Sequence, residues 1–217
     1  MPCLYKTIPG WMDYENLYDY LITNHLKDNS TFIEVGVWKG RSICYMVELA
    51  KEKNINLKIF GVDIFANNVD DELSPYKIEK GKTKFINNFN IFENTLNSAE
   101  GQTISSNETI YFEFLFNLAQ KQILDKVVPI CLFSEDAANL FEDGSVDCIF
   151  LDAAHDRDNV LNDLKKWVPK IKKGGILCGH DYAPGWSTQP FVDEFFSTLN
   201  KKVEFYPPQS FIWKNMD

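Results

Sequence analysis

The chain has 217 residues, 45% of them hydrophobic, which is enough for one sizeable core and short for two. With 31 acidic against 22 basic side chains the formal charge is −9, and no basic run exceeds two residues. The charge balance argues against a nucleic-acid partner, with an RNA-modifying enzyme that carries a small local patch as the alternative. No run of 18 apolar residues is present, and MPCLYKTIPG lacks the apolar stretch of a signal peptide, so the expectation is a soluble cytoplasmic chain with no membrane partner.

Residues 12–27 carry Leu17, Tyr20, Leu21 and Leu26 at roughly helical spacing, with Asp13 as the expected cap. The stretch TFIEVGVWKGRSICYMVELA then reads as strand, glycine turn and helix. That order places backbone N–H groups and a helix N-terminus at the carboxyl end of a parallel strand, where an α/β sheet holds a ligand. The Gly36-x-x-x-Gly40 turn has neither the Lys-Ser/Thr pair of a phosphate-cradling loop nor dinucleotide spacing. Glu34 at its rim would repel a pyrophosphate and pair with an ammonium group, so a cationic, phosphate-free cofactor is expected.

Residues 57–62 form the second expected strand and end in Asp63, placed to accept ribose hydroxyls. The stretch 65–125 is too long for an ordinary crossover and reads as an insertion, a lid or substrate wall, with an apolar helix at 109–125. A structural or oligomer-forming decoration is the alternative. After a third strand at 126–133, Ser134 is expected to cap a short helix, and one of the carboxylates Glu135 and Asp136 to face an adenine amine.

The fourth strand, 146–151, leads into Asp152-Ala153-Ala154-His155, then a helix at 156–168 stopped by Pro169. Residues 172–175 (KKGG) are read as a turn before a fifth strand that ends in Gly179-His180-Asp181-Tyr182. Two aspartates brought close together need a proton or a cation between them, and a hard divalent ion with a nearby histidine base suits that edge. Trp38, Trp186 and Tyr182 are either pocket aromatics or packing residues. A helix at 188–199 and two short strands joined by 207–210 complete the chain as an antiparallel hairpin. The five cysteines, Cys3, Cys44, Cys131, Cys148 and Cys178, have no CxxC or zinc-like spacing and are expected to be reduced.

The segments EVGVWKGRS, GVDIF, SEDAANLFEDGSVDCIFLDAAHD, DLKKWVPKIKKGG and GHDY, in this order, resemble the class I S-adenosylmethionine-dependent methyltransferases, and within them the small family of macrocin-type and mycinamicin-type sugar O-methyltransferases. The resemblance implies a Rossmann-like α/β fold over 1–217 as one domain: a mostly parallel seven-stranded sheet with helices on both faces and a C-terminal antiparallel hairpin. It implies a cofactor site of Glu34, Gly36, Val37, Trp38, Gly40, Ser42, Asp63, Ile64, Ser134, Glu135, Asp136 and Asp152. It further implies that His155 is the general base and that a magnesium ion is held by Asp152 and Asp181, with His180 standing where the family has an acidic ligand. The expected reaction is methyl transfer to a hydroxyl of a small molecule, with a sugar among the candidates. An N-methyltransferase without metal and a non-catalytic binding module are the alternatives, and the insertion and N-terminal helix are candidate homodimer surfaces.

Overall fold

A computed structural model describes residues 4–65, 110–185 and 188–216. Seven strands form one sheet in the order β3-β2-β1-β4-β5-β7-β6. They are β1 (Thr31–Val35), β2 (Lys58–Asp63), β3 (Val127–Cys131), β4 (Val146–Leu151), β5 (Ile171–Gly179), β6 (Glu204–Tyr206) and β7 (Ser210–Lys214). The first five are parallel, while β7 runs antiparallel to β5 and β6, so the expected fold class and terminal hairpin are both present.

Strand alternation divides the core into two layers. Phe32, Cys148, Phe150, Ile176, Cys178 and Ile212 point to one face, which is covered by α1 (Glu15–Asn24), α2 (Arg41–Lys53) and α3 (Ile110–Gln120). Their neighbours Ile33, Ile149, Leu177, Phe211 and Trp213 point to the other, under α4 (Ser134–Ala137), α5 (Arg157–Trp167) and α6 (Gln189–Thr198). The central strands are apolar on both faces because both faces are covered.

Several local expectations are corrected. Asp13 does not cap α1: the cap position is Tyr14, without a side-chain hydrogen bond. Ser134 lies inside α4 rather than capping it, since its Oγ accepts from Trp167 Nε1 at 2.8 Å. KKGG lies within β5, as an excursion where the β4 ladder jumps from Val146↔Ile171 to Cys148↔Ile176, and Lys172 pairs with Asp147 there.

Within the expected insertion, the expected apolar helix is present as α3, Ile110–Gln120, and it packs into the core. Phe114 and Leu118 are fully buried, and a Cβ on Gly40 would lie 2.9 Å from the Phe114 ring. The rest of that insertion, 66–109, and Trp186 fall outside the described residues. Of the four described cysteines, all free, Cys44, Cys148 and Cys178 are buried and Cys131 is half-buried. Among the described residues, no helix is long and apolar enough to cross a membrane.

Candidate functional site

Strand register sets the level of the site. Gly36 N–H donates to Val62 O at 2.8 Å, Asp152 N–H to Val35 O at 2.8 Å and His180 N–H to Leu151 O at 3.0 Å. The residues just past β1, β4 and β5 are therefore stitched side by side at the carboxyl edge. Between β1 and β4 the strand order reverses, and such a switch opens a crevice. Gly36 sits at that point with φ +93°, and a Cβ there would come within 1.9 Å of the Asp152 carbonyl oxygen. Only glycine allows both that backbone and that approach.

Two cavities flank this point and share Gly36, Trp38, Asp152 and Ala153 as a common neck. The first, about 630 Å³, is lined by Asp63, Ile64, Ser134, Glu135, Asn162 and Asp163 among others. Asp63 accepts from the backbone N–H of Trp38 at 2.8 Å and of Phe65 at 2.7 Å, which ties the glycine turn to the end of β2. Burial raises its carboxyl above the ordinary range, and those amides pull the other way. Glu135 accepts from the Asn162 side chain, whereas Asp136 does not line the cavity. Asp163, which the sequence reading missed, is buried on α5 with its carboxyl pushed up to about 6 by burial, against a hydrogen bond from Ser134.

Glu34 is not at the rim. It shares strand parity with Phe32, so its side chain enters the layer under α1 and α2. There it is fully buried, accepting from Tyr18 Oη at 3.0 Å and from Ser42 Oγ, and it lines neither cavity. Burial pushes its carboxyl up to about 8, while the two hydroxyl donors pull it down.

The second cavity, about 690 Å³, is bounded by the segment Gly10–Tyr14, by Val37, Arg41 and Ser42, by His155, His180 and Asp181, and by Gln209 of the hairpin. Tyr14 Oη donates to Asp152 Oδ2 at 3.2 Å. His155 Nε2 lies 2.8 Å from Asp181 Oδ2, and this hydrogen bond, with the Asp181 and Asp152 charges, raises the imidazole above its usual pKa against the effect of burial. His180 turns its Nε2 to Asp13 at 2.7 Å and its Nδ1 to Asp181 at 3.3 Å. Burial opposes charge on His180, yet Asp152 and Asp181 outweigh it and hold the ring at about 10. The two histidines in turn hold Asp181 well below the usual carboxylate range.

One ligand atom each from Asp152, His155 and Asp181 lies within 4.8 Å of the others. Of the expected ligands, Asp152 and Asp181 belong to this cluster, while His180, with its Nε2 on Asp13 and its Nδ1 3.6 Å from Asp152 and 3.3 Å from Asp181, borders it, and His155 is the cluster's third member. Two carboxylates and one imidazole fit a divalent cation. Tyr182 packs in the core and donates to Asp193 Oδ1 at 2.7 Å, so it is a packing residue. Tyr14, Gln209 and Asn162 had no local sequence signal, because each reaches the site through tertiary packing, whereas Arg41 follows the glycine turn directly.

A family model described as "Methyltransferase domain" matches residues 33–182. No curated protein matches the chain in sequence. Among solved structures, the chain is similar to the O-methyltransferase NovP at TM-score 0.60 and 17% identity, covering 94% of this chain and 79% of that one. It is similar to a Streptococcus mutans protein in complex with SAH at TM-score 0.54 and 14% identity, covering 95% and 99%. Fibrillarin from Aeropyrum pernix, in complex with S-adenosyl-L-methionine, gives TM-score 0.51 and 14% identity, covering 91% and 72%. At such identities the likeness is one of fold.

Proposed function

Because the chain belongs to the methyltransferase-domain family whose model spans residues 33–182, we propose that it transfers the methyl group of S-adenosylmethionine to a hydroxyl of a small molecule, with sugars the class the macrocin-type resemblance favours. The observation that carries this reading is the shared neck at Gly36, Trp38, Asp152 and Ala153. A two-substrate transfer needs donor and acceptor on opposite sides of one narrow point, held in line. NovP, an O-methyltransferase of the same fold, supports oxygen as the acceptor.

The first cavity suits the donor. Among the described residues its lining includes Asp63, Glu135, Asp152 and Asp163 and no Lys, Arg or His, an acidic surface fit for a cationic ligand. Asp63 would hold the ribose with the lone pairs its two amide donors leave free, and Ser134 and Glu135 would flank the base. The methionine part would follow the Gly36–Gly40 turn. When bound, S-adenosylmethionine supplies an electrophilic methyl carbon on a sulfonium.

His155 would take the acceptor's proton. Its Nε2 faces Asp181, so Nδ1, which has no partner among the described residues, is the atom left to accept it. The acceptor oxygen bonds to carbon, the carbon–sulfur bond breaks with its electron pair staying on sulfur, and the proton goes to His155. Asp181 then stabilises the imidazolium. A divalent cation, magnesium being the one expected, would be held by Asp152 and Asp181 and would supply positive charge beside the acceptor oxygen. A second reading has its own support, since a histidine oriented by a carboxylate at 2.8 Å works as a base without any cation.

Methyl transfer to a panel of sugar and phenolic hydroxyls, with EDTA and with magnesium added back, tests both. Turnover on oxygen that vanishes with chelation and returns with magnesium fits the cation reading. Turnover unaffected by EDTA fits the histidine–aspartate pair alone, and methylation of amines only would overturn the hydroxyl assignment.

A further inference from the structure

We propose that the second cavity selects an acceptor that carries an anionic group, a carboxylate or a phosphate, on a hydroxylated ring, with Arg41 reading the anion and Trp11 and Trp38 holding the ring. This rests on the methyltransferase reading and names its acceptor class.

Arg41 is the first residue of α2, where the helix dipole disfavours a cation, and no acidic residue lies in that first turn to offset it. Its Nη1 donates to Gly10 O, its Nε is buried without a partner, and Nη2 has no protein acceptor among the described residues. The other two cations of the cavity are matched: His155 by Asp181, and His180 by Asp13 and Asp181. Among the described residues, Arg41 is thus the cavity cation left without a carboxylate. A half-buried guanidinium so placed is costly unless a ligand completes it, and its planar fork suits a carboxylate or phosphate.

The aromatic wall is adjacent. Trp11 is 84% exposed and stacks on Trp38, with ring centroids 5.2 Å apart and planes at 24°. Trp38 is held at φ 44°, a strained conformation for a bulky residue, fixed by its N–H bond to Asp63. A Cβ on Gly10 would meet both Trp38 and Arg41 within 3.5 Å, so the segment that carries Trp11 rests on the anion reader itself. A large exposed indole at a cavity mouth is a ready face for a ring. Arg41 lines this cavity and not the Asp63 cavity, as do Val37 and Ser42 of the expected cofactor set, so the cofactor's own carboxylate is the competing partner and the titration below separates the two.

The test is calorimetry on the full chain saturated with S-adenosylhomocysteine, using 3,4-dihydroxybenzoate against 3,4-dihydroxybenzamide and glucose 6-phosphate against glucose. At least one anionic probe should bind about ten-fold or more tightly than its neutral mate, the scale of a charge-assisted hydrogen bond. Arg41→Gln should erase that preference with S-adenosylhomocysteine affinity unchanged, and Arg41→Lys should keep part of it. Trp11→Ala should weaken acid and amide alike. Equal binding within both pairs, or no binding of any probe, overturns the proposal. So does loss of S-adenosylhomocysteine affinity in Arg41→Gln, which would assign Arg41 to the cofactor. Failure of the wild type to bind S-adenosylhomocysteine would instead overturn the cofactor reading, and the same paired titrations on the apo protein then decide the acceptor class.

Discussion

The two cavities are nearly equal in size, about 630 and 690 Å³, yet their charges are organised in opposite ways. The first presents Asp63, Glu135, Asp152 and Asp163 with no facing cation among the described residues. The second sets Asp13, Asp152 and Asp181 against Arg41, His155 and His180, and most of those charges are already paired. An uncompensated acidic wall waits for a positive ligand, whereas a paired one positions groups for proton movement. The contrast also follows the chain. The first cavity is made of the ends of β1, β2 and β4, the segment after β3 and one face of α5. The second needs the N-terminal segment, three loops and the C-terminal hairpin to meet.

The largest expected effect separates the two. His155→Ala should lower kcat by about 10²-fold or more, the usual scale of a lost general base, with cofactor affinity unchanged. A comparable loss of cofactor affinity would dissolve the distinction between the cavities.

A smaller effect probes the acidic wall. Asp163 has its carboxyl pushed up to about 6 by burial, so it ionises as pH rises through that value. S-adenosylmethionine affinity should therefore increase from pH 5 to 7, and Asp163→Asn should flatten that rise. Above the transition the variant should bind roughly five-fold more weakly, about 1 kcal/mol for one partly screened charge. Calorimetry across the pH range reads both, and an unchanged profile would remove Asp163 from the donor's surroundings.

The smallest expected change in ligand affinity comes from a residue that touches neither cavity. Glu34, with its carboxyl pushed up to about 8 by burial, holds a proton in the folded state over a range where the unfolded chain has lost it. Stability should therefore fall as pH rises from the ordinary glutamate range toward 8, by up to about 1.4 kcal/mol per unit. Glu34→Gln should reduce that slope in thermal melts and leave cofactor affinity within about two-fold, since the side chain lines neither cavity. A large affinity loss would return Glu34 to the ligand set.

Legibility followed the range of the interactions. The glycine turn after β1, the acidic end of β2 and the Asp152–His155 loop are local patterns, and each lies where its pattern points. Glu34 was misread because its place before the glycine suggested the rim, while strand parity with Phe32 sends it under α1 and α2. Asp13 looked like a helix cap because its spacing fits one, but His180 and Gln209, both far along the chain, take its carboxylate. The helix at 110–120 was legible because its apolar face matched a core element. Arg41 follows a recognisable turn, and only the fold reveals that no carboxylate among the described residues meets it.

The central claim, that the acidic cavity holds a cationic nucleoside donor at the neck, is tested most directly by titrating S-adenosylmethionine into the wild type and Asp63→Ala by calorimetry. Saturable binding at one site is expected, weakened about 10²-fold in the variant, which loses hydrogen bonds from ribose to a charged acceptor. Saturable binding of NADH or ATP with none of S-adenosylmethionine, or equal affinity in the two proteins, would contradict it.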